Sequence, residues 1–195
     1  MRRRALLALL LLAGCSVLPQ RGYPVRRDWP LVVRRGPPPP RSRAGRPILL
    51  VRAIAAGPGL EGRGLVTVQP DGSVHSDYYE QWVVPPAEAV TDLLRQWLAE
   101  SGAFRAVLAP GSVAPADLVL EGTLTELDTG PDASAGAALS FALIDEKAAT
   151  VRVLRQDVAR GAAKLGSADP AARVAAMRNA LGQVFVQVEA ACRVP

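Results

Sequence analysis

A single histidine, two cysteines and three each of tryptophan, tyrosine and phenylalanine among 195 residues leave little material for chemistry. One histidine, His75, excludes metal sites built on several imidazoles. It is also the one candidate general base, and its polar turn-to-strand setting fits a solvated surface residue better. Gly57-x-Gly59 and Gly62-x-Gly64 are rich in glycine, yet no Gly-Lys-Ser/Thr follows them, so the phosphate-cradling loop is missing. A Gly-x-Ser-x-Gly nucleophile elbow is missing too. Asp117, Glu121 and Asp128 read as acids on a solvated strand face. No basic patch interleaved with aromatics occurs, which argues against nucleic-acid binding. The chain reads as a protein with no catalytic constellation and no metal site.

What is present begins at the N-terminus. Arg2, Arg3 and Arg4 precede an apolar run over residues 5–13, and small residues at Ala13 and Gly14 lead into Cys15. This is the layout of a cleaved secretory leader, residues 1–14. The run is far shorter than the roughly 20 residues that a membrane-spanning helix needs. Leu12-Ala13-Gly14-Cys15 resembles a bacterial lipobox. That resemblance implies a diacylglycerol on the Cys15 thiol, cleavage before it, and acylation of the new amine. Two or more acyl chains anchor a protein stably where one does not, at about 0.8 kcal/mol per buried methylene. By analogy with lipoproteins kept at the inner membrane, which carry Asp after the cysteine, Ser16 favours the outer membrane and its periplasmic face. Cys192 is then left unpaired, as a small buried residue at the end of the last helix or as an intersubunit disulfide. Without lipidation, a Cys15–Cys192 disulfide is the alternative.

The formal charge of +5 hides an asymmetry. Residues 16–46 hold eight arginines and one aspartate, a net of +7, whereas residues 47–195 hold 12 basic and 17 acidic residues, a net of −5. Residues 15–46 therefore read as a lipid anchor and Arg/Pro-rich tether, stiffened by the prolines at 37–40. Two readings stand for its charge: proximity to anionic headgroups, or a solvated linker. Tyr23 to Val25 and Trp29 to Val33 are short enough to be strand fragments docking on the body.

Residues 47–195 have the apolar content for one core, since 49% of the chain is hydrophobic. A buried strand is expected over residues 48–56, and another around Leu65 to Val68. A turn at Pro70-Asp71-Gly72-Ser73 and a returning strand over 74–84 follow. Pro85-Pro86 opens a helix whose buried stripe is Val90, Leu93, Leu94, Trp97 and Leu98, with Gly102 at its C-cap. Short strand Phe104 to Leu108 precedes alternating strands over 117–127 and around Leu139 to Leu143. A hairpin tip at Asp145-Glu146-Lys147 and a return strand from Val151 come next. Asp169-Pro170 caps a last helix with its stripe at Val174, Met177, Leu181, Val184 and Val188. The expected fold is α+β, a mixed and mainly antiparallel sheet with two amphipathic helices packed on one face.

Asp77-Tyr78-Tyr79-Glu80-Gln81-Trp82 sets three aromatics on one strand. Alternation predicts Tyr78, Glu80 and Trp82 on one face and Tyr79 and Gln81 on the other. Trp82 packing beneath the first helix is the structural expectation, while Tyr78, Tyr79 and Trp82 are the candidates for a partner or lipid contact.

With the lipobox, this Tyr-rich strand running into Trp82 and Pro85-Pro86 is followed by Ser101-Gly102-x-Phe104, Ala116-Asp117-x-x-Leu120-x-Gly122 and an alanine-rich closing helix around Ala176-Met177. In that order, over roughly residues 47–192, the chain resembles the auxiliary lipoproteins of ABC-type lipid transport systems, the group that includes paraquat-inducible protein C. The Arg/Pro-rich stretch 26–46 departs from that pattern. The resemblance implies a domain without a cofactor, apart from its covalent lipid, that works with mammalian-cell-entry (MCE) proteins in the periplasm. Permease and ATPase would be separate chains, lipid the material carried with phospholipid one candidate contact, and a homo-oligomer the form that matches a ring. An independent lipid carrier with an enclosed cavity, and an outer-membrane assembly lipoprotein partnered by a β-barrel, are the alternatives.

Overall fold

The computed structural model describes residues 23–37, 45–147 and 150–193. The expected leader, the expected lipidation site at Cys15 and positions 16–22 and 38–44 of the expected tether lie outside the described residues. Eleven elements follow in order: β1 (Arg27–Trp29), β2 (Ile48–Val51), β3 (Ala55–Ala56), β4 (Gly64–Val68), β5 (Val74–Trp82), α1 (Pro86–Glu100), β6 (Ala106–Leu108), β7 (Leu118–Thr129), β8 (Ser134–Asp145), β9 (Arg152–Lys164) and α2 (Pro170–Cys192).

Strand β7 is the spine. Along one edge it pairs antiparallel with β8, and β8 pairs antiparallel with β9. Three short strands share the other edge end to end, all parallel to β7: β2 beside Leu118–Leu120, β3 beside Thr123–Leu124 and β4 beside Asp128–Thr129. β6 extends the sheet from β2, while β5 and then β1 extend it from β4. The long ladders are antiparallel and the parallel ones are short, so the α+β expectation holds.

Both helices bury the stripes that their spacing predicts, except that Leu93 of α1 is only partly buried at the edge of the core. Val90, Leu94, Trp97 and Leu98 of α1 join Val174, Met177, Leu181, Val184 and Val188 of α2 in one core with Leu49, Leu120, Leu124, Leu139 and Leu143 of the sheet. Fully burying an aliphatic side chain of this size contributes about 1.5–3 kcal/mol. The Asp169 carboxylate caps α2 by accepting the Ala172 N–H at 2.9 Å. Its hydrogen bonds from Ser167 and Ala172 hold its pKa below the ordinary value.

Local departures from the expected strands have identifiable causes. Residues 48–56 form two strands instead of one, because the Ile54 N–H donates to Thr91 Oγ1 of α1 at 2.9 Å instead of to β7. In β7 the register shifts between Leu124 and Glu126. The buried series therefore changes parity, from Leu118, Leu120 and Leu124 to Leu127 and Thr129. Residues 23–25 form no strand, and the docked fragment is 27–29.

The outer edge of β9 is closed by side chains. Gln183 and Gln187, one turn apart on α2, exchange amide hydrogen bonds with the backbone of Ala162 and Arg160. Asp157 accepts the Val158 N–H at 2.8 Å. An exposed edge is a template for unwanted pairing, and here the next groups in line are satisfied within the chain. Gly161 makes this possible: a Cβ there would lie 2.0 Å from the Ala180 carbonyl oxygen of α2.

The N-terminal strap is joined to both helices at one carboxylate. Glu189 of α2 accepts hydrogen bonds from the Arg35 guanidinium and from Trp97 Nε1 of α1, the latter at 2.8 Å. Arg193 adds a third donor. Arg35 lies 5.2 Å over the Trp97 ring, and Trp97 meets Phe185 edge to face at 5.7 Å. Burial alone would push the Glu189 carboxyl up, but hydrogen bonds from Arg35, Arg193 and Trp97 bring it below the ordinary value. Glu189→Ala leaves Arg35 buried without its counter-charge, at a cost of about 3–5 kcal/mol. We expect a matching drop in urea-unfolding free energy at pH 7. An acid with a lowered folded pKa contributes stability that is lost as pH falls through that pKa, so the gap to wild type is expected to shrink at acid pH.

Candidate functional site, a tyrosine bulge beside the N-terminal strap

β5 leaves the ladder where its tyrosines stand. It pairs with β4 through Val74, His75 and Ser76, then resumes at Gln81 opposite Gly64. Between these points several β5 residues face one β4 residue, which is a wide bulge. Asp77 builds it. Its Oδ1 accepts the N–H groups of Tyr79 at 3.0 Å and Glu80 at 3.1 Å, giving the backbone a local alternative to the ladder. Its other oxygen lies 3.5 Å from Arg173 of α2. Gly64 makes room, since a Cβ there would sit 2.5 Å from the Asp77 carbonyl oxygen.

The bulge overrides simple alternation. Tyr78 and Tyr79 both project outward, 66% and 42% exposed, with rings edge to face at 5.2 Å. Trp82 is 1% exposed and belongs to the core. It offers no surface, so of the three aromatic candidates the two tyrosines are those that reach solvent. Arg26 lies over the Tyr78 ring at 5.6 Å and donates to Gln81 Oε1.

Buried polar groups support the tyrosines from beneath. β1 runs parallel to β5, with Arg27 beside Glu80 and Trp29 beside Trp82. Glu80 pairs with Arg27 at 2.9 Å and accepts the Trp29 indole N–H at 2.7 Å. Gln81 Oε1 accepts Arg63 at 3.1 Å as well as Arg26. The strap is thus the strand that completes this corner of the sheet. Sequence reasoning does not single out Arg26 or Arg173, and it names Asp77 and Gly64 only within the aromatic stretch and a glycine pair. The available signal was an aspartate in mid-strand, a residue type that competes with sheet hydrogen bonding.

The remaining candidates lie apart. His75 is exposed on β5 opposite Thr67. Cys192 is a free buried thiol at the end of α2, pushed up to about 12 by burial and by the Glu189 charge. Asp117 accepts the Ile48 N–H at 2.8 Å, and this bond holds its carboxyl below the ordinary range. Glu121 pairs with Arg52 at 2.8 Å. Asp128 is half-buried, and burial, then the neighbouring Glu126, push its carboxyl up to about 6. No cluster of three or more metal-ligating side chains occurs among the described residues. No helix among them is long and apolar enough to cross a membrane.

The fold is that of several solved structures. Protein XCC0632 from Xanthomonas campestris is 21% identical, with 83% of this chain and 92% of that one covered and a TM-score of 0.70. An uncharacterized protein at 15% identity covers 87% and 97% with a TM-score of 0.64. The hypothetical protein CT253 from Chlamydia trachomatis, at 12% identity, covers 76% and 96% with a TM-score of 0.54. No curated protein matches the chain. The model of one family, the ABC-type transport auxiliary lipoprotein component, matches residues 31–189, and the chain belongs to that family. It is therefore an auxiliary transport lipoprotein of the cell envelope and not a member of an enzyme class.

Two substitutions test this account of the site. Asp77→Ala removes the acceptor for two amides, at a cost of about 1–3 kcal/mol. Hydrogen exchange at the Tyr79 and Glu80 amides is expected to accelerate by about fivefold to about a hundredfold, since about 1.4 kcal/mol corresponds to a factor of ten. Unchanged protection there would show that the carboxylate does not hold the bulge. Asp128 binds its proton more tightly folded than unfolded, so it lowers stability increasingly as pH rises from about 4 to about 6, and constantly above that. Asp128→Asn is expected to raise the melting temperature at pH 7.5, corresponding to roughly 1–2 kcal/mol after discounting for solvent screening. The advantage should vanish near pH 4.

Proposed function

We propose that the chain is a lipid-anchored periplasmic component of an ABC lipid transport system, held at the outer membrane through Cys15. In this role it docks an MCE-domain protein whose permease and ATPase are separate chains. The observation that carries the reading is the family match over residues 31–189. A phospholipid's tails cannot cross water unshielded, because each exposed methylene costs about 0.8 kcal/mol. A periplasmic conduit therefore needs a fixed end at the membrane, and a tethered domain supplies one. A homo-oligomer would match the symmetry of a ring.

The interior supports docking over cargo holding. Leu49, Leu65, Leu120, Leu124, Leu139, Met177 and Phe185 fill the space between sheet and helices with no measurable exposure. The tie from Arg35 to Glu189 lets the body be positioned by its anchor, since the strap is part of the packed domain.

Crosslinking the tagged, lipidated protein in membranes, followed by mass spectrometry, checks this. We expect an MCE-domain protein together with its permease or ATPase. Recovery of bound lipid alone would replace docking by the carrier reading, and recovery of a β-barrel would replace it by outer-membrane assembly.

A further inference from the structure

We infer that the Tyr78–Tyr79 bulge, with Arg26 beside it, is a bilayer contact that rests in the headgroup layer of the membrane to which the chain is anchored. The inference rests on the reading of Cys15 as the acylated residue.

Three observations converge on this occupant. The first is direction. β1 pairs parallel with β5, with Arg27 beside Glu80. The residues before Arg27 therefore run back past Tyr79 and Tyr78. Eleven residues separate Cys15 from Arg27. Even fully extended they span at most about 40 Å. The first docked residue, and the bulge next to it, cannot stand farther than that from an acyl anchor.

The second is the chemistry of the surface. A tyrosine presents an apolar ring and a polar tip, which suits the boundary between headgroup and acyl chain. Neither phenolic hydroxyl has a hydrogen-bond partner among the described residues, so both are free to meet headgroups or interfacial water. Tyr23 and Val25, exposed on the same incoming segment, continue the aromatic and apolar character toward Cys15.

The third is charge. The acids of this corner are already matched inside the chain: Asp77 by Arg173, and Glu80 by Arg27 and Trp29. Arg26 meets a ring and an amide instead of a carboxylate. Its cation is left to complement anionic lipid, where each basic residue near the surface contributes about 1 kcal/mol. The bulge itself is built, being held by two hydrogen bonds to Asp77 and accommodated by Gly64. Its tyrosines stay presented without a partner to order them, which lowers the cost of contact.

Site-directed quenching in vesicles tests the contact. The acylated protein is reconstituted in phosphatidylethanolamine–phosphatidylglycerol vesicles carrying a headgroup spin label. A fluorophore is attached at Val74→Cys, on β5 along the path toward the anchor, or at Val113→Cys as control. Cys192 is buried and Cys15 carries lipid, so each label is selective. Val113 precedes β7, whereas Val74 faces the strand beside the far end of β7, so the two are separated by about 30 Å of strand. We expect quenching at position 74 at least threefold stronger than at 113, and loss of at least half of it in Tyr78→Ala/Tyr79→Ala. Equal quenching at both positions in protein that floats with the vesicles overturns the bilayer contact and leaves the anchor standing. Shielding of position 74 only after addition of an MCE-domain protein overturns it in favour of a protein partner. Failure to float, with no acyl mass on the N-terminal peptide, overturns the Cys15 reading and this inference with it.

Discussion

Glu189 is a nearly buried carboxylate on the last helix, and two segments distant in sequence converge on it, with a third donor four residues further on. Arg35 comes from the N-terminal strap, Trp97 from α1 and Arg193 from just beyond α2. A charge this far from water is tolerated only when it is matched and hydrogen-bonded. Here each partner satisfies a requirement of another. Arg35 neutralises the carboxylate, the Trp97 indole N–H finds an acceptor, and the guanidinium lies over the Trp97 ring. The edge-to-face contact of Trp97 with Phe185, on the same helix as Glu189, joins α1 to α2 beside the carboxylate. Removing any one group leaves the others with an unmet demand. The strap is thereby part of the domain's packing.

The sheet follows a related logic of satisfaction at its margins. β7 carries β8 on one side and three short parallel strands on the other, and at three margins of the sheet backbone hydrogen bonds are diverted to side chains. Ile54 turns to Thr91, Tyr79 and Glu80 turn to Asp77, and Arg160 and Ala162 turn to Gln187 and Gln183. In each case a side chain takes a backbone partner that a neighbouring strand would otherwise supply. These diversions end strands, open a bulge and close an edge while giving each diverted backbone N–H a side-chain acceptor.

How far these features can be read from the sequence depends on how local their causes are. The helices are legible because periodicity, Pro86, Asp169 and Pro170 act within a few residues of where they stand. The long strands are legible through alternation until a bulge changes its parity, at Leu124 to Glu126 in β7 and at Asp77 in β5. A period-2 reading cannot register an extra residue, so it placed Tyr78 with Trp82, whereas the folded chain sends one outward and the other into the core. The docking of residues 27–29 beside β5, and of Arg35 on Glu189, joins positions 50 to 150 residues apart with no local signature. Composition marks this stretch as basic, and its short apolar fragments suggest docking on the body, but neither names the strand or the carboxylate it docks on. The scarcity of chemistry was legible from the start, because counting histidines and cysteines needs no fold.

The two thiols illustrate how fold and anchor divide the chemistry between them. Cys192 sits one turn beyond Glu189, in contact with a buried negative charge as well as an apolar core. Both effects disfavour the thiolate, and its pKa rises to about 12. The thiolate is the reactive form for metal binding, oxidation and disulfide exchange. At neutral pH Cys192 therefore acts as a small core side chain, one that packs beside the same network that holds the strap. Stability and chemical silence at this corner share one origin, the matched but water-poor surroundings of Glu189. Among the described residues the body therefore offers no reactive thiol. On the proposed reading Cys15, ahead of the basic segment, is the thiol that carries the lipid, and the direction in which the strap leaves β5 would then orient the domain.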